Sequence, residues 1–370
     1  MKIGLLTLPL ETGYGSIMQA LALNSALVKF GHDVILIRRL RNKKRYPVWR
    51  IFRRIVKKFI LFRLDTIVLI DKKEMDEYPI ITRYVQPFID KYLQPFSPIY
   101  TTTKEFKQVE KLNLDAIVVG SDQVWRPGCM DNIEDFFLYQ ISDDIRKYSY
   151  AASLGVDNWR FTKSQTETCR KAVQKFLKTS VREKSSVSMC ERNLGITPDF
   201  VLDPTLLFDQ TFYTQFIEEH DETRNGKICA FILDRTKDKN DLLLNVCKHK
   251  KREFYYASNN TEDKTVALKD RIAPSISSWL DAFNSAEFVV TDSFHGCVFS
   301  IIFQKNFYVY INKGRGTERF YSLLGMLGLK DHIVDVLSNI DKIPNIDWTI
   351  VNGRLEEMRK KSWNFISEIK

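Results

Sequence analysis

Apolar positions along this chain fall into two alternating registers. Short β-rich runs with no polar face suit strands buried in a parallel sheet, and they are followed by longer stretches with apolar residues at helical spacing. A strand is predicted over 2–8, then a loop (PLETGYGS), a helix over 17–30 stopped by Gly31, and a strand over 34–37, which together make a βαβ unit. Further strands are predicted over 115–119, 147–152, 179–182 and 200–202, with a helix over 161–178. The proline- and aromatic-rich stretch 78–100 reads as irregular with one short helix. From Lys227 the alternation resumes, with strands over 228–233, 252–257, 288–291 and 307–310, helices over 238–249, 277–284 and 297–303, and a last helix over 353–369. The pattern predicts an α/β fold: two Rossmann-like domains, 1–208 and 209–370, facing each other across a cleft, with the last helix packing back on the first domain.

The stretch 287–303, EFVVTDSFHGCVFSIIF, organises the second series. His295 stands where a buried strand turns into a buried helix, the place where open α/β sheets bind ligands and where free helix N–H groups favour an anion. Asp292, Ser293, His295 and Gly296 are candidates for such a site, against the plainer reading of a helix cap beside a packed histidine. Gly13, Tyr14, Gly15 and Ser16 precede the first helix in the same way; the spacing is not GxGxxG, so a phosphate or sugar cradle and a tight turn both fit. Gly120, Ser121 and Asp122 end another strand, with Trp125 and Arg126 close behind. Arg182 ends a further one, its guanidinium fork suited to a carboxylate or phosphate as well as to a surface ion pair.

With 370 residues and 44% hydrophobic content the chain can bury two ordinary cores. No apolar run reaches the roughly 20 residues of a membrane span. The opening MKIGLLTLPL is too short and strand-like for a signal peptide, so a cytoplasmic location is expected. Six scattered cysteines without a CxxC pair argue against a zinc site and a disulfide framework, and no metal site is expected. The net charge of +10 is concentrated: twelve Lys or Arg and no acid lie between Arg38 and Arg63, leaving 44 bases against 46 acids elsewhere. Trp49, Phe52, Phe59 and Phe62 are interleaved with these bases, giving a basic amphipathic insertion over about 38–63. It suits peripheral contact with the inner face of the cytoplasmic membrane, a phosphorylated ligand or a solvated face. Nucleic acid is not expected as a partner, since no nucleic-acid module accompanies it.

Seven motifs in order resemble the polysaccharide pyruvyl transferases: GYGSIMQALAL (which includes Tyr14, Gly15, Ser16 and Gln19), GSDQVW (which includes Ser121, Asp122 and Trp125), KYSYAASLG, SVRE, VLDPTLLF, TDSFHG and ERFYSLLGMLGL. The resemblance covers nearly the whole chain. It implies a glycosyltransferase-B-like architecture, phosphoenolpyruvate as co-substrate with no further cofactor, and a surface polysaccharide or its precursor, such as a lipid-linked sugar, as acceptor. The product implied is a pyruvate ketal.

On matching positions the resemblance makes His295 the proton donor and places Arg182, Ser293 and Gly296 at the phosphoenolpyruvate. Tyr14, Gly15, Ser16, Gln19, Ser121, Asp122, Trp125 and Asp292 fall to the acceptor side or to the framework. The sequence departs from the family at one place: members often carry Arg-Leu-His-Gly where this chain has Ser293-Phe294-His295-Gly296. Arg315, Arg319 or Lys313, in the loop NKGRGTERF, is suited to supply the missing charge, against the plainer reading of a solvated loop. A sugar-nucleotide glycosyltransferase and a non-catalytic glycan-binding protein are the alternative functions.

Overall fold

Strands β1 (Lys2–Leu6), β2 (Asp33–Arg39), β3 (Phe96–Tyr100), β4 (Ala116–Val119), β5 (Arg146–Ala152), β6 (Lys178–Val181) and β7 (Asp199–Phe200) form one sheet in the order 3-2-1-4-5-6-7. Strands β8 (Ile228–Phe231), β9 (Phe254–Tyr256), β10 (Phe288–Thr291) and β11 (Asn306–Val309) form a second sheet in the order 11-10-8-9. Every pairing is parallel. The structure is a computed structural model that describes residues 1–42, 71–311 and 316–370. Strands β4, β8 and β10 are buried at every residue, and their unbroken apolar runs fit only the interior of a sheet covered on both faces.

The structure departs from the predicted elements in instructive places. The stretch 78–100 contains β3, which includes Pro98 and lies at the sheet edge, the one place where a residue without an N–H costs no ladder bond. Helix Lys184–Leu194 was not foreseen, and the helix expected over 161–178 is confined to Lys163–Val173 behind a Thr162–Gln165 capping box. The helices Tyr14–Lys29 and Phe294–Ile302 each begin three residues earlier than their apolar spacing predicts, because Gly15 and Gly296 occupy their first turns. His295 is therefore inside a helix rather than in the loop before it. The basic stretch does not begin as an insertion: Arg38 and Arg39 belong to β2, and buried Arg39 pairs with Asp135 at 2.8 Å. Positions 43–63 lie outside the described residues.

The C-terminal helix, Trp348–Ser367, starts at its Asp347 cap and reaches the first sheet. Its Ser362 Oγ accepts from the Leu202 N–H at 3.0 Å, Arg359 donates to the Leu206 carbonyl at 2.8 Å, and the Tyr148 hydroxyl donates to the Lys370 carbonyl at 2.7 Å. One apolar core runs from β1 and helix Tyr14–Lys29 through Trp279 and Phe299 to Phe365 and Ile366. Among the described residues no helix is long and apolar enough to cross a membrane. Strand order reverses between β1 and β4 in the first sheet and between β8 and β10 in the second. The loops after these strands meet, so two topological switch points share one cleft.

Candidate active site

Two helix N-termini converge in that cleft. Helix Tyr14–Lys29 follows β1 with Gly13 as its cap, and helix Phe294–Ile302 follows β10 with Ser293 as its cap. They touch at Gly15 and His295, where a Cβ on residue 15 would stand 1.9 Å from His295 Nδ1, so only glycine admits the imidazole. Gly296 works in the same way on the strand side, since a Cβ there would lie 2.0 Å from Thr291 Oγ1. That hydroxyl donates to the Phe231 carbonyl at 2.6 Å and accepts from the Ser293 N–H at 3.0 Å, fixing the turn that carries the histidine. Tyr14 pins the two halves together, its ring stacked on Trp279 at 5.0 Å and its hydroxyl donating to the Pro274 carbonyl at 2.8 Å.

Beneath the cleft, residues from six of the motifs form one buried charge network. Arg182 donates to Asp203 Oδ2 at 2.7 Å, to Glu183 Oε1 at 3.2 Å and to Asp122 Oδ1 at 3.3 Å. Ser16 Oγ donates to Asp122 Oδ2 at 2.6 Å, and Ser153 Oγ to Glu183 Oε1 at 2.6 Å. Gln19 Nε2 donates to Ser121 Oγ at 3.1 Å and also to Asp203 Oδ2. His295 Nε2 stands 3.8 Å from the same Asp203 oxygen, an ion-pair distance rather than a hydrogen bond. Asp122 takes a φ of 73°, a conformation that costs a non-glycine residue free energy and is held by the surrounding bonds.

The electrostatics follow from this arrangement. Burial works against ionisation of Asp203, yet His295, Arg182 and the Thr205 hydroxyl outweigh it and hold the carboxyl well below the usual carboxylate range. Burial likewise opposes ionisation of Asp122, and Arg182, His295 and Ser16 again reverse the balance. Burial and then the Arg182 charge bring Arg319 down to about 10, so it stays a cation at neutral pH.

The cleft has a volume of about 530 Å³. One wall is the Gly13–Ser16 turn with Asp122 and Gln123; the other is Ser293–His295 with the segments Phe231–Arg235 and Ser258–Asp263, and Arg319 closes it. Arg319 comes from helix Glu318–Leu327 and lies 5.3 Å from the Phe294 ring. Arg235 lies 3.5 Å over Tyr256 and donates to the Ser258 carbonyl at 2.6 Å.

The structure brings together Tyr14, Gly15, Ser16, Asp122, Ser293, His295 and Arg319 in the lining, with Gly296 directly behind and Gln19 and Ser121 buried below. Arg182, expected at the donor, lies outside the lining, and Trp125 and Asp292, expected on the acceptor side or in the framework, are framework. Arg182 is not in the lining: its side chain is 1% exposed and its guanidinium is engaged by three carboxylates, so it organises charge beneath the cleft. Trp125 is core, stacked on Phe137 at 4.9 Å with its indole N–H on the Phe136 carbonyl. Asp292 faces inward, accepting from the Leu233 N–H at 2.7 Å, the Asp234 N–H at 3.1 Å and Lys239 Nζ at 2.6 Å, and so shapes the cleft wall. Arg315 and Lys313 lie outside the described residues.

Sequence reasoning passed over Asp203 and Glu183 as site residues. Asp203 precedes a proline and caps the next turn through Thr205, which is how its sequence context reads. The signal available was that it is a carboxylate just beyond the carboxyl end of a parallel strand, as Asp122 is. Arg235 and the segment 258–263 carried no pattern of their own. Among the described residues no group of side chains could hold a metal ion.

Two parallel α/β sheets whose switch points share a cleft define a protein of the glycosyltransferase-B-like class. The chain is similar in fold to a glycosyltransferase from Rickettsia africae, at TM-score 0.51 and 10% identity, covering 100% of this chain and 99% of that one. It is also similar to the MnaA–UDP co-structure from S. aureus, at TM-score 0.49 and 11% identity, covering 99% and 90%. A putative UDP-N-acetylglucosamine 2-epimerase from Listeria monocytogenes follows at TM-score 0.48 and 12% identity, covering 97% and 96%. No curated protein matches the sequence. The family model for polysaccharide pyruvyl transferase matches residues 14–314, and the chain belongs to that family.

Proposed function

We propose that the protein transfers the pyruvyl group of phosphoenolpyruvate to two hydroxyls of a sugar in a surface polysaccharide or its precursor, forming a pyruvate ketal. The observation that carries this reading is the seat of His295, an imidazole at the meeting of two helix N-termini on the floor of a cleft. Ketal formation needs an acid and an anion cradle. His295 gives a proton to the enol methylene carbon, a sugar hydroxyl attacks the resulting cationic carbon and returns its proton to the imidazole, and a second hydroxyl displaces phosphate, its own proton leaving with the phosphate. The free N–H groups of both helix starts and the Arg319 guanidinium meet the donor's carboxylate and phosphate. Arg319 reaches the Phe294 ring and so supplies, from another helix, the charge that Ser293 does not. The amide, hydroxyl and carboxyl side chains of 258–263 suit sugar hydroxyls on the facing wall.

The test is phosphate release from phosphoenolpyruvate with a panel of lipid-linked and synthetic glycosides, using the parent protein and His295→Gln. The parent releases phosphate only with an acceptor, and the variant loses about 100-fold or more in turnover while staying folded. A folded variant with undiminished turnover excludes His295 as the acid. The same cleft wall would also suit a sugar nucleotide; stabilisation by nucleotide diphosphates and not by phosphoenolpyruvate in a thermal-shift screen would favour glycosyl transfer instead.

A further inference from the structure

We propose that Asp203 is the positioning residue that accepts the Nε2–H of His295, so that the reaction's proton is delivered from Nδ1 at the Gly15 edge of the cleft. For its chemistry this rests on the pyruvyl-transfer reading; for its geometry it rests on the buried network alone. His295 is 8% exposed, so little of the residue is open to the cleft. Nε2 is the sealed nitrogen: it is buried, has no hydrogen-bond partner among the described residues, and stands 3.8 Å from Asp203 Oδ2. Nδ1 is the nitrogen against the Gly15 backbone, in the cleft lining.

Asp203 is built to hold still. Its Oδ1 accepts the Thr205 N–H at 3.1 Å and the Thr205 hydroxyl at 2.6 Å, while Oδ2 accepts Arg182 Nη1 at 2.7 Å and Gln19 Nε2. A carboxylate anchored at both oxygens cannot swing toward the cleft, and the imidazole lies beside its Oδ2. Hydrogen bonds of this kind are often long without substrate and shorten in the reacting complex.

The other charged groups around the ring do not replace it. Asp122 is held by Ser16 and Arg182, and the cations Arg182 and Arg319 lie over the Phe294 ring at 4.9 Å and 5.3 Å rather than over His295. In the transfer step the Nδ1–H bond breaks as the C–H bond forms on the enol methylene, leaving a neutral ring with its proton on Nε2 and directed at Asp203. The attacking sugar hydroxyl then returns its proton to Nδ1.

The experiment has two arms. In the first, the intact protein with ¹⁵N-labelled histidine is examined by NMR at alkaline pH, with the His295 signal identified by its loss in His295→Gln. The neutral ring is expected as the Nε2–H tautomer, and the Nδ1–H tautomer overturns the proposal. This arm needs neither turnover nor a variant at 203, so it decides the pairing even if phosphoenolpyruvate proves not to be the donor or Asp203→Asn does not fold. In the second, kcat is followed against pH for Asp203→Asn. Loss of a negative charge close to the acid moves the alkaline fall in activity to lower pH. A merely structural role would lower kcat at every pH and leave the profile in place, and that result also overturns the proposal.

Discussion

Replacing Gly15 with alanine tests the catalytic reading of the cleft from outside the reacting groups. The added Cβ would stand 1.9 Å from His295 Nδ1 and 2.2 Å from Cγ, where ordinary contact begins at 3.4 Å, so the ring must retreat by about 1.5 Å. Neither helix can slide away cheaply, because Tyr14 is stacked on Trp279 and Gly296 is pressed against Thr291. In stability the substitution is mixed. Alanine in a helical first turn is better than glycine by about 0.5–1 kcal/mol, while overpacking a tight contact costs about 1–3 kcal/mol. The fold should therefore survive with a net cost of at most about 2.5 kcal/mol. Catalysis has no such offset, since misplacing a reacting group by about 1 Å costs on the order of 100-fold. The assay is phosphate release under saturating donor, with urea denaturation in parallel to check the fold. Combining the change with His295→Gln adds a cycle: once the acid is gone, Gly15→Ala should cost no more than about twofold further, because the two act as one unit. A folded Gly15→Ala protein that keeps turnover within about threefold of the parent would refute the reasoning, as would losses that simply multiply in the double variant.

Arg319→Gln should raise the KM for phosphoenolpyruvate about ten- to one-hundredfold, the loss of one charge-assisted contact worth about 1.5–3 kcal/mol, and an unchanged KM would remove it from the donor cradle. Arg182→Met is expected to act on stability instead: it leaves Asp122, Glu183 and Asp203 without their shared cation, at a cost of about 3–5 kcal/mol in urea denaturation. A variant as stable as the parent that bound donor weakly would return Arg182 to the binding site. For the stretch 43–63, co-sedimentation with anionic vesicles at low salt that weakens at high salt is expected, because attraction screened over about 8–10 Å cannot survive added electrolyte. Equal and negligible binding to anionic and neutral vesicles would assign the bases to a solvated face.

The sequence by itself determined the fold class and the place along the chain of the histidine proposed as the acid. Buried parallel strands must be apolar on both faces, so β4, β8 and β10 announce themselves as short unbroken runs, and the turn after such a run is where a ligand binds. That was enough to single out His295, Ser293 and the Gly13–Ser16 turn. Strand β3 was hidden because its proline, Pro98, argues against a strand except at an edge, and edge position is a property of the assembled sheet. The first turns at Gly15 and Gly296 were hidden because glycine lowers helix propensity, and the reason for each glycine is the approach of a side chain from elsewhere. Only the tertiary structure decided the division of charge. Arg182 ends a strand and could equally have faced a ligand, but Asp122, Glu183 and Asp203 close around it once β4, β5, β6 and β7 lie side by side in one sheet. A side chain's partner depends on which strands are neighbours, and strand order is set by the packing of the whole chain rather than by any local run of residues.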